Sequence, residues 1–133
     1  MDAWEQWLLM ARGSLASARL LLRQEEIRSS ASRAYYAAYQ AVTAILLYHG
    51  MTPPEDREAW SHDATPDLIR RLAPTALRQD RRKDIAQRLA DLYDLRVTAD
   101  YISLVEVEEL SLKTALKNAS FIVGVAGNVL PRG

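Results

Sequence analysis

Apolar residues at Trp4, Leu8, Ala11, Leu15, Ala18 and Leu22 recur in alternating steps of four and three, the spacing that gathers them on one side of an α-helix. The same period returns at Ala31, Ala34, Tyr35, Ala38, Val42, Ile45 and Leu46, at Ile85, Leu89, Leu92, Leu95 and Ala99, and at Leu112, Ala115, Leu116, Ala119, Ile122, Val123, Ala126 and Leu130. Nowhere does the period-two alternation of a half-buried strand appear. A helix with one apolar stripe must bury it against another element, so the chain reads as all-α. The expectation is a single domain over residues 1–133, an antiparallel up-and-down bundle of four long helices plus one short helix.

Local chemistry places the ends of these helices. The first spans about Ala3 to Arg23, with Trp7 and Leu21 widening its stripe and Arg12, Arg19 and Arg23 falling elsewhere. The second helix is capped by Ser29 or Ser30 or else begins a few residues earlier; Gly50 closes it and Pro53-Pro54 prevents its continuation. Residues 51–63 form a loop carrying Trp60, Ser61 and His62. Thr65 before Pro66 reads as an N-cap opening a short helix through Leu72, which Pro74 interrupts. Residues 75–80 are ambiguous; the next helix runs from about Arg81 to Tyr101. Ser103-Leu104-Val105-Glu106 fits a capping box before the last helix, whose far end Gly124 and Gly127 weaken.

A chain of 133 residues can bury roughly two-thirds of the surface it exposes when unfolded, enough for a core without staples. It contains no cysteine, which removes disulfides, thiolate metal sites and a cysteine nucleophile. Two isolated histidines are too few for the usual zinc or iron sites, and neither a metal nor a cofactor is expected. The glycine-rich phosphate loops and the nucleophile elbow are also missing. Met1-Asp2-Ala3-Trp4-Glu5 lacks a basic leader, and no apolar run approaches the ~20 residues of a membrane span, so a soluble cytoplasmic protein with no membrane partner is expected.

Seventeen basic residues balance seventeen acidic ones overall, but not locally. Arg70, Arg71, Arg78, Arg81, Arg82, Lys83 and Arg88 face only Asp80 and Asp84 in that stretch, and fourteen of the seventeen cations are arginine, the better bidentate phosphate ligand. This run reads either as a solvated helix face or as a phosphate patch formed by Arg70, Arg71, Arg78, Arg81 and Arg82.

The remaining polar groups lie on otherwise apolar helices. Arg33, Tyr36, Gln40, Thr43 and Leu47 form a second stripe on helix two, more polar than a purely structural face requires. Arg96 and Asp100 are four apart and so share a helix face, with Tyr101 beside them. On one reading these groups tie helix two to helix four as a partly buried ion pair. On the other, Arg33, Tyr36, His62, Arg96, Asp100 and Tyr101 converge on a phosphate or nucleotide.

Ser32-Arg33-Ala34-Tyr35-Tyr36-Ala37-Ala38-Tyr39, then Ser61-His62 after a proline-bearing loop, then Leu95-Arg96-Val97-Thr98-Ala99-Asp100-Tyr101 resemble the small stand-alone HEPN proteins of bacteria and archaea. The resemblance covers nearly the whole chain. It implies a bundle of four or five helices, a homodimer, and pairing with a minimal nucleotidyltransferase in toxin–antitoxin or stress systems. Some members of that family are metal-independent ribonucleases, and others bind nucleotides or act as non-catalytic partners.

The ribonuclease members carry an arginine followed four to six residues later by a histidine, and their dimer brings two copies together over the RNA. Here Arg96 matches the arginine, but five positions on stands Tyr101, and no histidine follows. Tyrosine, with an ordinary pKa near 10, shuttles protons poorly at neutral pH. The expectation is therefore a nucleotide- or RNA-phosphate-binding regulatory partner of a nucleotidyltransferase. The alternatives are a ribonuclease toxin using Arg96 with His62, and a purely structural assembly module. The resemblance also makes Tyr101 a candidate for nucleotide modification by such a partner.

Overall fold

The computed structural model describes residues 1–72, 77–101 and 109–131, without the side chains of Asp100, Tyr101 and Glu109. Five helices account for most of it: α1 (Ala3–Arg23), α2 (Ile27–Tyr48), α3 (Thr65–Arg70), α4 (Gln79–Tyr101) and α5 (Glu109–Val129). No strand occurs among the described residues.

Side-chain ties fix the helix directions. Trp4 meets Tyr48 at 5.2 Å between ring centroids while Ser30 Oγ donates to the Ala18 carbonyl at 2.7 Å, so α1 and α2 are antiparallel. Tyr35, early in α2, meets Tyr93, late in α4, at 5.4 Å. Arg88 donates to Asn118 Oδ1 at 2.9 Å, and the Arg81 guanidinium lies 5.5 Å from the Phe121 ring, which reverses α5 against α4. Arg19 donates to Ser120 Oγ at 3.1 Å, closing the ring between α5 and α1. The four long helices thus run up and down, with the short α3 against α2 and α4.

α2 is the central element and touches every other helix. Ala31, Ala34, Ala37, Ala38, Ala41 and Ala44 are all fully buried, and their lack of side-chain bulk lets the neighbours approach from several sides. Tyr35, Val42, Ile45 and Leu46 fill what remains. Truncating a leucine or isoleucine in such a core costs about 2–5 kcal/mol, so Ile45 and Leu46 are the least replaceable side chains of the helix. Gln40 is buried too; with its amide nitrogen turned to the Met10 and Tyr36 carbonyls, at 3.1 and 3.2 Å, and Ser14 Oγ at 2.7 Å, its polar cost is offset.

The helix ends follow the expected chemistry in part. Gly50 sits in the left-handed region at φ 84°, with its N–H on the Leu47 carbonyl and that of Met51 on the Leu46 carbonyl, both at 3.1 Å, a complete Schellman motif. α1 ends the same way, but the left-handed residue is Glu25, at φ 62°. That turn leads straight into α2, whose N-cap is Glu26, so neither Ser29 nor Ser30 is the cap. Thr65 is the first residue of α3 instead of its cap, and its hydroxyl donates back to the Ser61 carbonyl at 2.8 Å. α4 begins two residues before the expected Arg81, and α5 continues through Gly124 and Gly127. Pro74 and the capping box at 103–106 lie outside the described residues.

Candidate functional site

Three tyrosines of α2 organise the seam between α2 and α4. Tyr35 and Tyr39, one turn apart and buried, hold the loop that leads to α3. Tyr39 Oη donates to the Trp60 carbonyl, and Tyr35 Oη lies on His62 Nδ1, each at 2.5 Å. Trp60 is buried at the root of this loop, so the backbone that presents His62 is anchored on both sides.

The loop lowers His62 into an aromatic box. Its ring lies 4.7 Å from Tyr39, 5.3 Å from Tyr35, 5.8 Å from Tyr93 and 6.0 Å from Tyr36. Burial lowers the His62 pKa from its ordinary value, and the nearby Arg96 charge lowers it further, with Asp63 acting weakly the other way. Burial raises the Tyr35 and Tyr39 phenols. Both shifts favour the neutral forms, a protonated phenol and an uncharged imidazole, which share the hydrogen bond between Tyr35 Oη and His62 Nδ1.

Two guanidiniums share the neighbouring ring. Arg33 Cζ lies 4.9 Å and Arg96 Cζ 5.1 Å from the Tyr36 centroid, and Arg96 is also 5.8 Å from that of Tyr35. Cation–π attraction orders both side chains without itself using their N–H donors. All four of Arg33, Tyr36, His62 and Arg96 are partly exposed. The result is a partly exposed cluster of two guanidiniums and an imidazole beside phenol rings, suited in charge to an anion. A groove of about 480 Å³ runs along the loop side of His62, between Tyr39, Arg57 and Trp60.

Four of the expected ligand-binding residues thus come together. The side chains of Asp100 and Tyr101 lie outside the described residues, so only their places in the last turn of α4 are given. Of the basic stretch read as either a solvated face or a phosphate patch, Arg70, Arg71, Arg78 and Arg81 are exposed and Arg82 is not. Arg82 is buried and its Nη1 donates to the Arg70 and Leu72 carbonyls at 2.6 and 2.5 Å, closing the C-terminus of α3. Arg70 and Arg71 share Asp67, at 3.5 and 3.8 Å, and Arg78 holds Asp80 at 2.8 Å. Arg81 and Arg88 turn instead toward Phe121 of α5, at 5.5 and 4.1 Å. Tyr35 and Tyr39 stand in the segment that carries the family resemblance but outside the expected ligand-binding set; their signal was a pair of tyrosines one turn apart upstream of a loop histidine.

Among the described residues no group of three or more histidine, aspartate or glutamate side chains could hold a metal ion, and no helix is long and apolar enough to cross a membrane. A crystal structure of TT1696 from Thermus thermophilus superposes with a TM-score of 0.76 and 21% identity, covering 98% of this chain and 100% of that one, which shows the shared fold. A UPF0332 protein of Thermotoga maritima is 30% identical over 115 residues, 86% of this chain and 81% of the relative. The family model for the HEPN domain matches residues 4–129. A match over nearly the whole bundle, from the first turn of α1 to the last of α5, makes the chain a member of the HEPN domain family.

Proposed function

We propose that this HEPN protein binds a phosphate group of a nucleotide or an RNA strand at the Arg33, Tyr36, His62 and Arg96 cluster, as a regulatory partner of a nucleotidyltransferase in a toxin–antitoxin or stress system. The observation that carries the binding reading is the pair of guanidiniums on the Tyr36 ring, next to a histidine that Tyr35 holds in place. Paired arginine forks match phosphate oxygens. The nucleotidyltransferase partnership rests on the family resemblance.

A second reading, the metal-independent ribonuclease, is favoured by one observation. Arg96 and His62 meet on the same two rings, Tyr35 and Tyr36. Against it stands the state of the imidazole. Its Nδ1 is taken up by the Tyr35 hydroxyl, and burial beside the Arg96 charge disfavours the imidazolium that a general base becomes.

Incubating single-stranded RNA with the purified chain in chelator separates these. Binding is expected with the RNA intact, and with affinity reduced at least tenfold in Arg96→Ala. Cleavage abolished in both Arg96→Ala and His62→Ala would install the ribonuclease reading. Neither binding nor cleavage at low salt, with free nucleotides also unbound, would leave the cluster as a tie between α2 and α4.

A further inference from the structure

Phe121, partly exposed on α5, stands among cations from three helices. The guanidiniums of Arg88 and Arg81, both from α4, lie 4.1 and 5.5 Å from its ring centroid. Arg19 of α1 donates to Ser120 Oγ and lines a groove of about 400 Å³ together with Leu116, Lys117, Ser120 and Phe121. Arg19, Arg81 and Lys117 are exposed, whereas Leu116, Phe121 and Arg88 are partly buried. Attraction to one ring orders the two α4 guanidiniums, and hydrogen bonds from Arg88 to Asp84 and Asn118, each at 2.9 Å, fix that side chain further.

Little negative charge offsets these groups. The sequence of α5 has no acid from Leu110 to Val129, and Glu5 is the sole acid of α1. On α4, Asp80 is held by Arg78 at 2.8 Å, Asp84 by Arg88, and Asp91 by the Gln87 amide at 2.9 Å. A chain with no net charge therefore concentrates positive charge here, beside a groove with two apolar walls. Arg81 and Arg88 are seven residues apart, about 10 Å along the helix, so one small anion cannot span them.

We infer that this face docks an acidic segment of a partner protein, which sets carboxylates against Arg19, Lys117, Arg81 and Arg88 and an aliphatic side chain in the groove beside Phe121. Arginine forks match carboxylates as well as phosphates, so the groove decides between them. Its walls, Leu116 and Phe121, suit an aliphatic group, and a buried apolar centre inside a charged rim is the ordinary anatomy of a protein interface. A single-stranded nucleic acid would need a ring on which to stack its bases, and the Phe121 ring already carries two guanidiniums. A membrane surface would need apolar anchors, and α5 exposes no large apolar side chain from Ser111 to Val129. None of these residues belongs to the cluster at the α2/α4 seam, so the docking does not depend on what that cluster binds.

Fluorescence anisotropy with the full chain tests this, using as probe a labelled peptide in which one leucine is flanked on each side by two glutamates. The peptide should bind at low salt, and versions with glutamine for glutamate or serine for leucine should bind more weakly. Lys117→Glu and Arg81→Glu reverse exposed charges, and each should weaken binding about tenfold with helix content unchanged by circular dichroism. Arg71→Glu, an equal charge change on α3, should leave the affinity as it is. No binding of the glutamate peptide, or equal binding by the wild type, Lys117→Glu and Arg81→Glu, would overturn the proposal. So would single-stranded RNA or anionic lipid vesicles whose affinity falls with these two substitutions as far as the peptide's, since the face would then serve nucleic acid or membrane.

Discussion

His62 is held by one hydrogen bond and four rings, and each neighbour pushes its proton equilibrium in a known direction. The Arg96 charge opposes protonation, so Arg96→Gln should raise the His62 pKa toward its ordinary value, read from the ring-proton shifts in an NMR titration. An unmoved titration would mean that Arg96 is not beside the ring. Burial also lowers His49. Both histidines therefore bind protons less readily folded than unfolded, and the sign follows. Their contribution to stability is complete above the unfolded value of about 6.5 and is lost as pH falls from there toward the folded values. Denaturation at a series of pH values should show stability falling below about pH 6.5, with a shallower fall in His62→Gln and again in His49→Gln. Tyr35→Phe removes the hydroxyl bonded to His62 and should cost about 1 kcal/mol, since one hydrogen bond is lost with little change in packing volume.

Among whole elements, the α1–α2 corner and the end of α3 test the local chemistry. Glu25 occupies a left-handed conformation that disfavours any side chain, so Glu25→Gly should stabilise the protein by about 0.5–1 kcal/mol in a thermal melt. A loss of stability there would show that the Glu25 side chain has a role of its own. Arg82→Met should destabilise by about 2–3 kcal/mol, because the Arg70 and Leu72 carbonyls lose a charged donor, while leaving RNA affinity unchanged. Weaker RNA binding without a stability cost would return Arg82 to the phosphate patch. Helix periods and glycine positions were readable in the residues, and α1 starts and stops where the pattern of Trp4 to Leu22 predicts. The start of α2 was not, because a Schellman turn built on a glutamate has no compositional signal. Of the two serines that resemble a cap, Ser30 is buried and tied to the Ala18 carbonyl, and Ser29 is exposed. The burial of Arg82 was equally hidden. Only the contact between α3 and α4 shows that Arg82 points inward.

For the molecule as a whole, an alanine-rich helix surrounded by the others brings residues far apart in the chain to one seam. Arg33 and Arg96 were each recognisable as an arginine on an otherwise apolar helix. That they flank one ring depends on the antiparallel register of α2 and α4, which periodicity does not encode. His62 was singled out by resemblance alone; its place in the aromatic box comes from the Tyr35 and Tyr39 hydroxyls that fasten the loop. The claim that this seam binds phosphate is tested most directly by titrating a single-stranded RNA into wild type, Arg33→Gln and Arg96→Gln, following affinity against salt and melting temperature together. The account predicts wild-type binding that weakens with salt at a slope of about −1.4 in log K against log salt, for two phosphate contacts. It also predicts a shallower slope and at least tenfold weaker binding in each variant, with the fold intact. Equal affinity in all three proteins, or variants that lose affinity only because they unfold, would contradict it.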